Sequence, residues 1–242
     1  MKIKSVKVKE FEEVYIDNKK IMVDKYRDYE GYKTIFQAEK IDDDNYNVIT
    51  GMLDKNMNVI VPIREEVVSE DDYLGNYSKN VVIPLAGKKV LYKYDNNCYL
   101  IDLTNAKFDK NNKPLNYIFK FKMVRVIDDE NIIIYLPKKS FIYNTKENKF
   151  MSKIYNFIKT DENGFNAYLV NENNKYTKPL YIKIPMDYNL NLTNIALLDE
   201  NIKVMIPKNI LNDNNKIIKY CDDCYNSYKE KKEDDICKIL KQ

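Results

Sequence analysis

The punctuation of this chain constrains its fold more than its bulk composition does. Short apolar runs of four to eight residues, rich in Ile, Val, Tyr and Phe, recur through residues 1–210. Clusters of Asp, Asn and Lys separate them: DNKK at 17–20, DDDN at 42–45, DNN at 95–97, DKNN at 109–112 and DENG at 161–164. β-branched and aromatic runs between Asx-rich corners are the signature of strands joined by hairpins. Five of the seven prolines (Pro62, Pro84, Pro137, Pro185, Pro207) directly follow Ile, Val or Leu at the end of such a run. Proline has no amide hydrogen for the next rung of a ladder, so it belongs where a strand stops. Only five glycines are present, but Asn takes left-handed turn positions that glycine otherwise fills.

An internal repeat lies over this pattern. Residues 52–62 read MLDKNMNVIVP and residues 197–207 read LLDENIKVMIP, with Leu, Asp, Asn, Val and Pro at matching offsets. Residues 126–137, VIDDENIIIYLP, fit the same template with one residue inserted in the turn. Looser half-copies stand at 99–108, 141–150 and 168–176. Hairpins repeated in this way predict a propeller or a stack, each hairpin burying its apolar face on a neighbour. The stretch ITGMLDKNMNVIVPI at 49–63 resembles the WG-type repeat, roughly W-G-hydrophobic-I-D-x-x-G-x-x-V-I-P, with Gly51 in the glycine place and Thr50 where Trp would be. The resemblance implies a β-rich repeat domain used for binding, with no catalytic residues to carry over.

The last thirty residues change character. Ile217, Cys221, Cys224, Tyr225 and Tyr228 follow the i, i+4, i+7, i+8, i+11 spacing of an amphipathic helix. Asp213 is its expected N-cap, and EDD at 233–235 interrupts the stripe. The expected organisation is an all-β hairpin-repeat domain over 1–210 and a helical segment over 211–242.

Composition acts mainly by exclusion. With no histidine in 242 residues, there is no Ser-His-Asp or Cys-His nucleophile pair and no imidazole metal ligand. No GxGxxG or GxxxxGK[ST] pattern occurs, so the usual dinucleotide and triphosphate signals are missing. A net charge of +3 does not by itself imply nucleic acid or an anionic membrane. MKIKSVKVKE at the N-terminus has no continuous apolar core, and the longest apolar runs fall far short of a bilayer span. The expectation is a cytoplasmic protein that does not engage membranes, with all four cysteines reduced.

Three constellations remain. Zinc at Cys221, Cys224 and Cys237 is disfavoured, because Cys221 and Cys224 fall on the apolar stripe, where thiols act as small hydrophobes; no cofactor is expected. The acidic clusters at 42–44, 70–72 and 128–130 raise a carboxylate- or divalent-metal-dependent hydrolase of glycans or phosphodiesters as an alternative. Asp is equally a preferred corner residue. Residues 107–125 hold six cations against one acid, Asp109, interleaved with aromatics. Tyr117, Lys120, Lys122 and Arg125 mark the interaction patch, with nucleic-acid binding as a second alternative. Alternation in YIFKFKM at 117–123 predicts Tyr117, Phe119, Phe121 and Met123 on one face and Lys120 and Lys122 on the other, which weighs against it. The leading expectation is a non-enzymatic module that binds another protein.

Overall fold

The computed structural model describes residues 11–16, 19–69, 82–198, 202–230 and 239–240. The N-terminal MKIKSVKVKE, the acidic cluster at 70–72, the corner at 199–201, EDD at 233–235 and Cys237 lie outside the described residues.

The chain is an all-β protein of consecutive antiparallel hairpins with one C-terminal helix. Strands β1 (Phe11–Ile16), β2 (Lys19–Tyr29), β3 (Tyr32–Lys40), β4 (Asn45–Asp54) and β5 (Val59–Ser69) form the first sheet in sequence order. The second sheet runs β6 (Val82–Leu85), β7 (Lys89–Tyr94), β8 (Asn97–Asp102) and β9 (Phe119–Phe121). The third runs β10 (Met123–Val126), β11 (Asn131–Leu136), β12 (Lys139–Asn144) and β13 (Lys149–Phe150). The fourth contains β14 (Phe157–Asp161), β15 (Gly164–Asn171), β16 (Leu180–Met186), β17 (Ile195–Leu198), β18 (Ile202–Met205) and β19 (Ile239–Leu240). Helix α1, Asn214–Lys229, precedes β19.

Two compact units result: Met1–Ile134 with Asn144–Lys149, and Tyr135–Tyr143 with Phe150–Gln242. In the first unit, Met52, Val61, Val82, Val90, Tyr92, Tyr99, Ile101 and Leu103 form a buried cluster, and Ile35, Ile49 and Leu53 form a smaller one. In the second, α1 lies against β15, β16, β17 and β18. The buried side of α1 is Ile217, Cys221, Cys224 and Tyr225. Asp213 caps it, its carboxylate accepting the amides of Asn215 and Lys216 at 3.0 and 3.1 Å. Tyr228, expected to continue the apolar stripe, is 48% exposed, so the buried stripe stops one turn early. The helix of the 211–242 segment belongs to the second unit.

The corners follow two short rules. At 54–58, 109–113 and 187–191 the letters are D-x-N-x-N or D-x-N-x-K. In each, the first amide donates to the fifth carbonyl (2.9, 3.0 and 3.1 Å) and the fourth amide donates back to the first carbonyl (3.0 Å in all three). The Asp carboxylate accepts the fifth residue's amide as well, at 2.9, 2.9 and 2.8 Å. The fourth residue is left-handed each time: Met57, Asn112 and Leu190 have φ of 68°, 64° and 66°. The second rule is I-D-D-D/E-N, at 41–45 and 127–131. There the Asn side chain donates to both oxygens of Asp42 or Asp128, at 2.9 to 3.1 Å. Hydrogen bonds from the Asn58 side chain and amide hold the Asp54 carboxyl below its usual pKa. Those from the Asn191 amide and side chain do the same for Asp187. A carboxyl whose folded pKa is depressed adds stability above its unfolded pKa and loses it as pH falls, so acid loosens these corners.

The repeat is therefore less uniform than its letters. Residues 199–203 read DENIK and fit the first rule, yet Leu198 pairs with Ile202, whereas Leu53 pairs with Val59. Ile202 stands where the left-handed residue belongs, and a β-branched side chain resists that conformation, so the strand resumes early. The copy at 126–137, expected to carry an extra turn residue, has the same four residues between β10 and β11 as lie between β4 and β5, and its turn follows the second rule.

The prolines show a similar refinement. Pro137 and Pro207 follow strand ends, but Pro62, Pro84 and Pro185 lie within β5, β6 and β16. β5 and β6 are outer strands of their sheets, where a missing amide hydrogen is tolerated. Pro62 also sits at a bulge: Thr50 pairs with Arg64 and Met52 with Val61, so β5 spends an extra residue there. Gly51, opposite the bulge, is approached so closely that a Cβ would lie 3.2 Å from the Ile63 Cα.

One prediction follows from the left-handed positions. Met57 packs on the small core cluster, so glycine there would lose contacts, whereas Leu190 is half-buried in a corner whose other residues are exposed. Leu190→Gly is expected to raise stability by about 0.5–1 kcal/mol, relieved strain exceeding the added chain entropy. A urea midpoint at or below wild type would count against that assignment.

Candidate functional site

Residues 103–118 leave β8 as a folded finger before returning as β9. Asp102 starts it by accepting the Thr104 amide and hydroxyl at 2.9 and 2.6 Å. The Asn116 side chain closes its base, accepting the Lys107 amide at 2.8 Å and donating to the Asn105 carbonyl. Leu115 donates to the Lys107 carbonyl at 2.8 Å, and Phe108 and Pro114 are bridge partners. Tyr92 anchors the tip, its hydroxyl donating to the Asn112 carbonyl at 2.9 Å and its ring meeting Phe108 at 5.1 Å. Burial pushes the Tyr92 hydroxyl pKa up, against the opposing pull of the Arg64 guanidinium.

The finger leaves one wall of a groove of about 560 Å³. Ala106, Phe108, Asp109 and Asn112 line that side, and Val59, Ile60, Pro62 and Ile63 of β5 line the other.

Lys107, Lys110, Lys113, Lys120, Lys122 and Arg125 all have exposed side chains. The alternation expected over 117–123 does not hold. Only Phe119–Phe121 is strand β9; the chain breaks at Lys122 and starts β10 in another sheet. Phe121 and Val124 are both buried, three residues apart, and Met123 is exposed. Tyr117 precedes the strand and is 47% exposed, resting edge-on against the buried ring of Tyr99 at 5.1 Å. Lys120 pairs across the sheet with Tyr99 and places its Nζ 5.7 Å from the same ring. Tyr117 and Lys120, expected on opposite faces, therefore meet on one aromatic support. Lys122 and Arg125 are exposed, and neither lies over that ring.

A second exposed feature belongs to the other unit. Residues 150–157 run antiparallel beside β12, tied by Met151 donating to the Ile142 carbonyl at 2.8 Å and by the Ser140–Tyr155 pair at 2.7 and 2.9 Å. Phe150 contacts the rings of Phe141 and Tyr143, and Phe157 contacts those of Tyr135 and Tyr168. Phe150, Met151, Ile154 and Phe157 nonetheless remain exposed, Phe150 at 55% and Ile154 at 49%.

The other constellations stay apart. Asp42 and Asp128 accept hydrogen bonds within their own turns. No group of three or more His, Cys, Asp or Glu fit to hold a metal occurs among the described residues. Cys98 and Cys221 are free and buried. Burial, with Asp222 beside it, pushes the Cys221 thiol up to about 12, and a metal needs the thiolate. Cys224 is disulfide-bonded, which corrects the expectation of four reduced thiols: spacing does not encode which sulfurs folding brings together. Among the described residues no helix is long and apolar enough to cross a membrane.

Two features went unread in the sequence. One is a buried ion pair: the Lys89 Nζ donates to Asp102 at 2.9 Å and to the Gly87 carbonyl at 2.7 Å. Asp102 feels burial pushing its pKa up, but hydrogen bonds from Thr104 and Lys89 hold it below its usual value. The other is the fully buried Asn174, which donates to Asp222 at 2.6 Å and to the Asn226 side chain at 2.9 Å on α1. Comparison with protein-family models and with curated proteins returns no match.

Proposed function

We propose that the chain is a non-enzymatic, cytoplasmic protein-binding module of β-hairpin repeats, docking another protein on the ridge of Phe150, Met151, Ile154 and Phe157. The ridge carries the reading: four large apolar side chains stand exposed within eight residues. Clustered exposed apolar side chains mark interaction sites, and aromatic anchors dominate interface energetics. Backbone pairing with β12 orders this segment beforehand, which lowers the cost of binding. Consecutive sheets, each built from one stretch of chain, support a propeller-like or stacked arrangement. Met57, with its φ of 68°, occupies the place of the turn glycine in the WG-type template and supports that resemblance.

Cross-linking in the native cell, followed by purification, tests the ridge. Wild type is expected to recover a specific partner. Phe150→Asp with Ile154→Asp is expected to lose it by at least ~10-fold, the effect of removing one or two interface anchors, while a cooperative urea transition shows that the variant still folds. Equal recovery by a folded double variant would remove the ridge from the proposal.

A further inference from the structure

We infer that the finger and β9 form a binding site for single-stranded nucleic acid, separate from the ridge. Phosphates would lie on Lys107, Lys110, Lys113 and Lys120, and bases on Tyr117 and in the groove beside β5.

Charge is the first argument. None of the six exposed cations of 107–125 forms an ion pair with a described residue. Elsewhere Lys89, Lys138, Lys146 and Lys175 pair with carboxylates at 2.7 to 3.1 Å. Asp109, the single acid of the segment, is occupied inside its own turn by the Asn111 and Lys113 amides at 2.8 and 2.9 Å. The excess positive charge is left to solvent and available to a polyanion.

Aromatic geometry is the second. Tyr99 holds the exposed Tyr117 edge-on and has Lys120 over its own ring. An exposed aromatic and a cation therefore share one supporting ring, and aromatics with cations are the combination that grips an unpaired strand. The groove adds an apolar slot with Asp109 and Asn112 at its finger side, where a flat base finds both contact area and polar groups. A duplex presents mostly backbone and leaves these apolar surfaces unused. An acidic protein would use the lysines and leave Tyr117 idle.

Anisotropy with a labelled oligothymidylate tests the site in the full chain. If about four phosphates are neutralised, affinity should fall about 50-fold between ~50 and ~200 mM salt. Lys107→Glu, Lys110→Glu and Lys113→Glu together should weaken binding by at least ~10-fold, since each reverses a phosphate contact. Tyr117→Ala should cost about 5-fold or more, and Tyr117→Phe should restore it, because stacking needs the ring and not the hydroxyl. Urea midpoints check that each variant is folded, and the wild-type salt titration stands without any variant. Absence of salt-dependent binding at low ionic strength would overturn the inference. So would polyglutamate competing as well as the oligonucleotide while Tyr117→Ala binds normally, since the site would then belong to an acidic protein.

Discussion

Replacing Asn174 by Asp should cost the second unit about 3 kcal/mol or more at neutral pH, the scale for an uncompensated buried charge. Asn174 is fully buried, and its side-chain nitrogen serves the Asp222 carboxylate at 2.6 Å and the Asn226 Oδ1 at 2.9 Å. Its oxygen accepts the Tyr176 and Thr177 amides at 2.8 and 2.9 Å. Aspartate can keep the second pair of bonds but must turn a carboxylate oxygen toward Asp222. Two adjacent carboxylates raise the pKa of one of them above its unfolded value. Stability held by that proton is present in acid and lost as pH rises through the raised folded pKa. The deficit relative to wild type should therefore shrink as pH falls toward ~4, near the unfolded carboxyl value. Urea unfolding of both proteins across pH measures this. A pH-independent deficit, or none, would mean that the loop after β15 is not held to α1 through this residue.

Gly164→Ala should be comparably damaging, at about 3 kcal/mol or more, because strain and overlap add. Gly164 has φ of 139°, and a Cβ there would run into the Met186 carbonyl oxygen and lie 3.0 Å from the Asp187 carbonyl carbon. Both obstacles are backbone of the paired strand region, so no rotamer change relieves them. Partial loss of the β14–β15 hairpin on heating is the expected phenotype. A loss below about 1 kcal/mol would show that the strands can separate to admit a methyl group.

The strands were legible because their signals are local. Apolar runs, Asp-led corners and the Asp213 cap depend on residues within a few positions of one another, and the all-β fold with its terminal helix follows from them. What the sequence concealed was long-range. Nothing near Pro62 announces that β5 gains a residue against β4, and the break at Lys122 reads as unbroken alternation. That Tyr117 and Lys120 reach the same ring depends on Tyr99, on a neighbouring strand. Asn174 stands among other asparagines in NENNKY, and only the arrival of α1 sets it apart. One signal was readable and missed: D-x-N-x-N/K recurs at three corners, and its left-handed fourth position explains why Ile202 spoils the copy at 199–203.

The order of strands bears on how the molecule comes into being. Among the described residues, every strand pairing joins elements consecutive among strands along the chain. Contacts of short sequence separation form quickly and need little loop closure. During synthesis each hairpin has its partner at hand as soon as it emerges, without awaiting a distant segment. The exception is β19, which pairs with β18 only after α1 has intervened. Completion of the second unit thus waits until residues 239–240 have been synthesised, and without them the β18 edge that β19 covers would be left unpaired.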